Sequence, residues 1–145
     1  METDERLVYP ENGRTPEYTK QLEEINEAGN CPFCPENLKQ YKKEPIIREG
    51  TYWLVTAVDF PYEGAKGHYM FIAKEHLTDK RQLRRHAQLE LFEHIFWLEE
   101  TYGLKNHTLI FRSGGPDTGA TVAHLHAQLV SAKSNLEKPI ITRIG

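Results

Sequence analysis

The stretch from Gly119 to Val130, GATVAHLHAQLV, constrains this chain more than any other. Apolar or small residues alternate there with His124, His126 and Gln128. A β-strand turns successive side chains to opposite faces. The three polar groups therefore share one face, and Ala123, Leu125, Ala127 and Leu129 share the other. The spacing predicts a strand over 123–131. Two imidazoles and an amide on one face suit either a solvated sheet edge or a partly buried reactive surface. The preceding run, Ser113-Gly114-Gly115-Pro116-Asp117-Thr118-Gly119, shifts the weight to the second. Its glycines and proline demand turns. Glycine also lets backbone N–H groups approach a ligand closely, as in anion-binding nests. An anion loop, a hydroxyl at Thr121 and His-x-His-x-Gln together form a constellation. Its expected phosphate donors are the N–H groups of Gly119 and Ala120 with the Thr121 hydroxyl.

This segment resembles the histidine-triad superfamily of nucleotide hydrolases and transferases, in the variant whose third triad position is Gln. That variant is similar to the branch containing galactose-1-phosphate uridylyltransferase and the dinucleoside-polyphosphate phosphorylases. Gly67 to His76, GHYMFIAKEH, is similar to the superfamily's glycine–histidine, apolar strand and Pro-Lys-x-His signature, with Ala73 in place of the proline. Pro61-Tyr62-Glu63 is similar to the uridylyltransferase branch. The resemblance spans roughly residues 31–130.

The resemblance implies that His126 is the nucleophile. Its neutral imidazole attacks phosphorus and forms a covalent phosphoramidate, splitting one displacement into two. A backbone carbonyl fixes the tautomer. Gln128 donates its amide to a phosphate oxygen but delivers no proton, because an amide does not titrate near neutrality. Phosphate and pyrophosphate leave unaided, whereas an amine or alkoxide needs an acid. Gln128 thus favours transfer between phosphates over phosphoramidate hydrolysis, with no catalytic metal required. Asp59 stands near the position where family members hold ribose hydroxyls with a carboxylate, although a loop Asp also serves as a turn cap. Ser113 stands where many members have Asn before the glycine, and is the candidate replacement.

Cys31-Pro32-Phe33-Cys34 holds the only two cysteines. A CxxC is a redox pair, half a metal site, or two inert core thiols. A redox pair wants a strand before it and a helix after it; here a helical pattern precedes and Pro35 follows. The resemblance implies the metal reading, a structural zinc on Cys31, Cys34, His76 and His124. Two thiolates and two imidazoles make a closed tetrahedral site.

Around these motifs the chain reads as one α+β domain, 1–145, of the histidine-triad type. A polar lead-in covers 1–14. Thr15-Pro16-Glu17 starts a short helix that Gly29 stops. Strands are expected over 46–49, 52–57, 68–73, 107–112 and 123–131. Thr78 is expected to cap one long helix over 79–102, with Leu83, Ala87, Leu91, Ile95, Leu98 and Tyr102 inward and Glu90, Glu93, Glu99 and Glu100 in water. Phe92, Phe96 and Trp97 are expected to pack on the sheet, with a homodimer contact as the alternative. Hairpin connections favour an antiparallel sheet of about five strands. Residues 132–145 are a tail without an assigned place.

With 145 residues, 39% of them hydrophobic, the chain suffices for a single core. Its net charge of −3 disfavours sequence-independent nucleic-acid binding but leaves room for a small nucleotide. No apolar run approaches a membrane span, and the acidic start, METDE, lacks the regions of a signal peptide. A cytoplasmic protein is expected. The sequence therefore points to an enzyme that moves a nucleoside monophosphate out of a phosphoanhydride. A catalytically silent nucleotide-binding module of the same fold is the alternative. A metal-dependent oxygenase barrel would explain His-x-His but not the long helical pattern.

Overall fold

The computed structural model describes residues 4–145; Met1, Glu2 and Thr3 of the acidic lead-in lie outside the described residues. Five antiparallel strands form one sheet in the order β1-β2-β3-β5-β4: β1 Ile46–Glu49, β2 Trp53–Ala57, β3 Ala65–Ala73, β4 Thr108–Ile110 and β5 His126–Ala132. Three helices accompany it: α1 Pro16–Ala28, α2 Leu38–Tyr41 and α3 Arg85–Tyr102. The architecture is the α+β arrangement that the sequence predicts.

The two faces of the sheet divide the labour. Trp53, Val55, Phe71, Ala73, Ala127 and Leu129 point to one side and meet Ala87, Leu91, Ile95 and Leu98 of α3 in the main core. On the other side, register sets Leu54 opposite Ile72, Ile72 opposite His126, and Met70 opposite Gln128. This second face carries the polar triad residues beside a smaller apolar cluster of Leu38, Leu54, Met70 and Ile72. α1 roofs this side. Thr15 caps it by accepting from the Tyr18 N–H, and Gly29 closes it in the left-handed region at φ 73°. Its Leu22 and Ile25 pack on Val8 and Val122.

The elements depart from expectation where other hydrogen bonds compete for the backbone. β5 starts at His126 rather than 123, because Ala123 N–H donates to Leu7 O and Leu125 N–H to Leu77 O, outside the ladder. β4 is only three residues, and Arg112 beyond it turns away to the Thr118 carbonyl. β3 begins at Ala65, three residues before the expected start. The long helix begins at Arg85 rather than 79. Asp79 instead opens a separate 3-10 turn, Lys80–Gln82, through a reciprocal capping box with Gln82, and Arg84 is extended. The lead-in is held in place: Val8 pairs with Val122, and buried Asn12 donates to the carbonyls of Pro116 and Ala120. Phe92 and Phe96 are 54% and 57% exposed rather than packed on the sheet, while Trp97 does lean on the core. Among the described residues, no helix is long and apolar enough to cross a membrane.

Glu90 does not face water. Its carboxylate accepts the N–H groups of Thr51, Tyr52 and Trp53, each at 2.9 Å, and His94 lies at 3.3 Å. One side chain of α3 thereby ties down the whole β1–β2 turn, a job the helical period could not announce. Replacing it strands the Tyr52 and Trp53 donors, at about 1–2 kcal/mol each, while water can take over the exposed Thr51 N–H. Glu90→Ala should lower unfolding stability by about 2–4 kcal/mol in urea titrations, whereas Glu93→Ala on the same helix should change it by less than about 0.5 kcal/mol.

Candidate active site

β5 enters the sheet at His126, and its neighbour β3 supplies His68 on the same face. His126 is buried, yet its ring lines a cavity bounded by α1, the segment 119–122 that follows the 3-10 turn, Tyr41 and Lys42 ahead of β1, and the loop after β2. Its Nδ1 lies 2.8 Å from the carbonyl oxygen of His124, two residues back on its own chain. A carbonyl only accepts, so Nδ1 carries the proton and Nε2 keeps its lone pair. Burial, with Arg112 nearby, pushes the His126 imidazole down to about 4, so it is neutral at pH 7. Phe33 holds the ring edge-on, with centroids 5.1 Å apart.

Gln128 lines the same cavity, and its orientation is set by a relay the sequence did not disclose. The Tyr62 backbone N–H donates to His68 Nδ1 at 3.1 Å. His68 Nε2 must then hold the proton, and it donates to Gln128 Oε1 at 2.6 Å. With its oxygen engaged by His68, Gln128 keeps its NH2 group as the end left to donate. Burial pushes His68 down to about 4, so this tautomer persists at neutral pH. His68 stands in the glycine–histidine pair of β3; its position opposite the Gln128 neighbourhood needed strand register, which the sequence alone lacks.

The remaining expected phosphate and ribose contacts are placed as follows. Asp59, Gly119, Ala120 and Thr121 all line the cavity. Asp59 sits in the wall with its carboxylate engaged by Lys42 Nζ and by the N–H groups of Lys43 and Glu44. The Gly119 N–H donates to Pro116 O, and the Ala120 N–H to Thr118 Oγ1, so both are spent within the turn. Thr121 Oγ1 meets the Tyr18 hydroxyl at 2.8 Å. Ser113 is outside the cavity, donating to Asp79 and accepting from the Lys80 N–H. One part of the wall is apolar, from Leu22, Ile25, Phe33, Tyr41, Val58 and Val122; another is basic, from Arg14, Arg112 and Arg143. Neither Arg14 in the polar lead-in nor Arg143 in the tail carried a motif that would have singled it out.

Cys31, Cys34, His76 and His124 converge so that one ligand atom from each lies within 4.8 Å of the others. Cys31 Sγ is 3.4 Å from His124 Nδ1, Cys34 Sγ is 3.3 Å from His76 Nδ1, and the two Nδ1 atoms are 3.1 Å apart. A tetrahedral ion with the usual metal–nitrogen and metal–sulfur lengths sets ligand atoms about 3.3–3.8 Å apart. The His124 ring is already in the required tautomer: its Nε2–H donates to Ala73 O, which leaves the Nδ1 lone pair facing the sulfurs. The four residues fit a metal ion, and both cysteines are free thiols. Burial and the neighbouring Cys31 push the Cys34 thiol up to about 12, so forming the thiolate needs a cation.

No protein-family model matches the sequence, and no curated protein does. Solved structures do match in shape. A HIT family hydrolase from Clostridium thermocellum superposes with a TM-score of 0.61 at 24% identity, over 75% of this chain and 96% of the other. A hypothetical histidine triad nucleotide-binding protein from Sulfolobus tokodaii superposes at 0.58 with 16% identity, over 79% of each chain. A zinc-bound histidine triad family protein from Mycobacterium smegmatis superposes at 0.55 with 16% identity, over 69% of this chain and 73% of the other. The chain has the histidine-triad fold.

The His68 relay yields a test. An unfolded histidine takes up its proton near 6.5 and this one near 4. Between those values the unfolded chain binds one proton more, so stability falls as pH drops through the window, by about 1.4 kcal/mol per pH unit for this group. His68→Asn should flatten the stability slope between pH 6.5 and 4 by that amount in denaturant titrations at several pH values.

Proposed function

We propose that this protein is a nucleotidyl-transferring or nucleotide-hydrolysing enzyme of the histidine-triad type, acting through His126. The observation that carries the reading is the bond from His126 Nδ1–H to the His124 carbonyl, which leaves Nε2 bare on the cavity side. In the first step Nε2 attacks the α-phosphorus of a nucleotide. The N–P bond forms, the P–O bond to the leaving group breaks, and the leaving oxygen takes the electron pair. The ring becomes cationic, and the His124 carbonyl and surrounding peptide dipoles stabilise it. In the second step an acceptor oxygen attacks phosphorus, the N–P pair returns to Nε2, and the acceptor's proton passes to solvent. Gln128 NH2 is the proposed donor to a non-bridging phosphate oxygen, supported by the orientation His68 imposes. Thr121 supplies a hydroxyl nearby.

The apolar wall suits a base, stacked among Phe33, Tyr41 and Val58. Asp59 is the proposed ribose contact at the cavity wall. Its oxygens already serve Lys42 and two N–H groups, so it has little acceptor capacity to spare. Because Gln128 delivers no proton, the favoured leaving group is a phosphate oxygen, as in a dinucleoside polyphosphate or nucleotide sugar. Zinc is the proposed occupant of Cys31, Cys34, His76 and His124, where it would tie the N-terminal segment to β5 and take no part in the chemistry. The turned-in N–H groups of Gly119 and Ala120 favour one competing reading, a binding module without turnover.

Two experiments test this. Incubation with α-labelled dinucleoside polyphosphates and nucleotide sugars should leave acid-labile label on the protein, and His126→Ala should abolish both label and product. Nucleotide binding with neither label nor product would establish the silent module instead. Elemental analysis should return about one zinc per chain, and Cys31→Ser should lose it together with thermal stability.

A further inference from the structure

The cavity holds more positive charge than a single nucleoside monophosphate uses. Arg14, Arg112 and Arg143 all line it, and among the described residues none of the three is paired with a carboxylate. The acid in the cavity wall, Asp59, is already joined to Lys42. In a chain of net charge −3, three unneutralised guanidinium groups on one concave surface are a local reversal of sign.

Their placement is built rather than incidental. Arg14 lies over the Tyr62 ring at 4.3 Å and donates to the Phe60 carbonyl. Arg112 donates from Nε to Thr118 O and from Nη2 to Thr142 Oγ1 and the Arg143 carbonyl. Thr142 in turn meets the Tyr62 hydroxyl at 2.8 Å. Arg143 donates to the Glu11 carbonyl. The tail, the lead-in and the loop after β2 are thereby stitched together by neutral acceptors that orient the guanidiniums without discharging them. A guanidinium offers five N–H donors; Arg14 and Arg143 each spend one here, which leaves most of their fork free for an anion. Arg14 and Arg112 line the same cavity as His126 and Gln128, so their charge faces the space in front of the triad.

We infer that Arg14, Arg112 and Arg143 form a second anion subsite, which holds phosphate groups beyond the one attacked by His126. These arginines would hold the phosphates of the leaving group already proposed from Gln128, and an uncharged leaving group would leave them unused. This inference rests on His126 as the site of the attacked phosphate, but its test needs no turnover.

Binding is measured by calorimetry on the full chain with adenosine and uridine 5′-monophosphates, their α,β-methylene triphosphates, and α,β-methylene nucleoside diphosphate hexoses, in which the bond to be broken is P–C–P. The triphosphate analogue should bind at least tenfold more tightly than the monophosphate at low salt. Arg14→Gln/Arg143→Gln should erase that advantage while monophosphate affinity stays within about twofold. Shared salt dependence and a comparable gain for the diphosphohexose would assign the subsite to the phosphate adjoining the scissile bond. A gain for the triphosphate alone would assign it to a longer polyphosphate chain. Equal binding of monophosphate and both analogues, or a double variant that keeps the wild-type ratio, would overturn the proposal. Failure to trap label on His126 would leave these ratios untouched, so the two readings fail separately.

Discussion

The hydrogen bond from His126 to the His124 carbonyl joins the two halves of the site. His124 gives Nδ1 to the converging ligand cluster, Nε2–H to Ala73 O, and its carbonyl to His126. A single residue therefore couples the cysteine pair, the β3 strand end and the candidate nucleophile. Because Nε2–H is held by Ala73 O while Nδ1 faces Cys31, Cys34 and His76, a flipped ring would lose both engagements. The cost is that His124 and His126 are both buried and neutral, pushed down to about 4 chiefly by burial.

The same logic governs Gln128. An amide has two ends of similar shape and opposite hydrogen-bonding sense, and an unassisted side chain flips between them. The Tyr62 N–H fixes His68, and His68 fixes Gln128. The relay converts an ambiguous side chain into a directed donor, at a point where β3 and β5 are held in register by the sheet. The guanidinium cluster lies on the side where the lead-in and tail meet, so the chain segments with the least regular structure supply the site's strongest charges.

Much of this was legible from residues alone, for reasons that differ by element. The alternation through Leu125, Ala127 and Leu129 reports a half-buried strand, and these residues do face α3. Thr15 and Gly29 mark α1 correctly because capping chemistry is local. Thr78 misled because a capping signal is only local: the cap there is Asp79, and it opens a 3-10 turn rather than the long helix, which starts at Arg85. Glu90 was legible only as a polar residue on a helix, since its partners lie some forty residues away across the core. Arg14 and Arg143 could not be read at all, because their meaning comes from where the two irregular ends of the chain converge. Gly119 and Ala120 carried the right composition for an anion nest, but their N–H groups close their own turn.

The central claim is a protonation state at one ring, and nitrogen NMR of histidine-labelled protein reads it directly. At pH 7 the account requires His126 as a neutral imidazole with the proton on Nδ1 and a bare Nε2. A proton on Nε2, or an imidazolium at that pH, would contradict it.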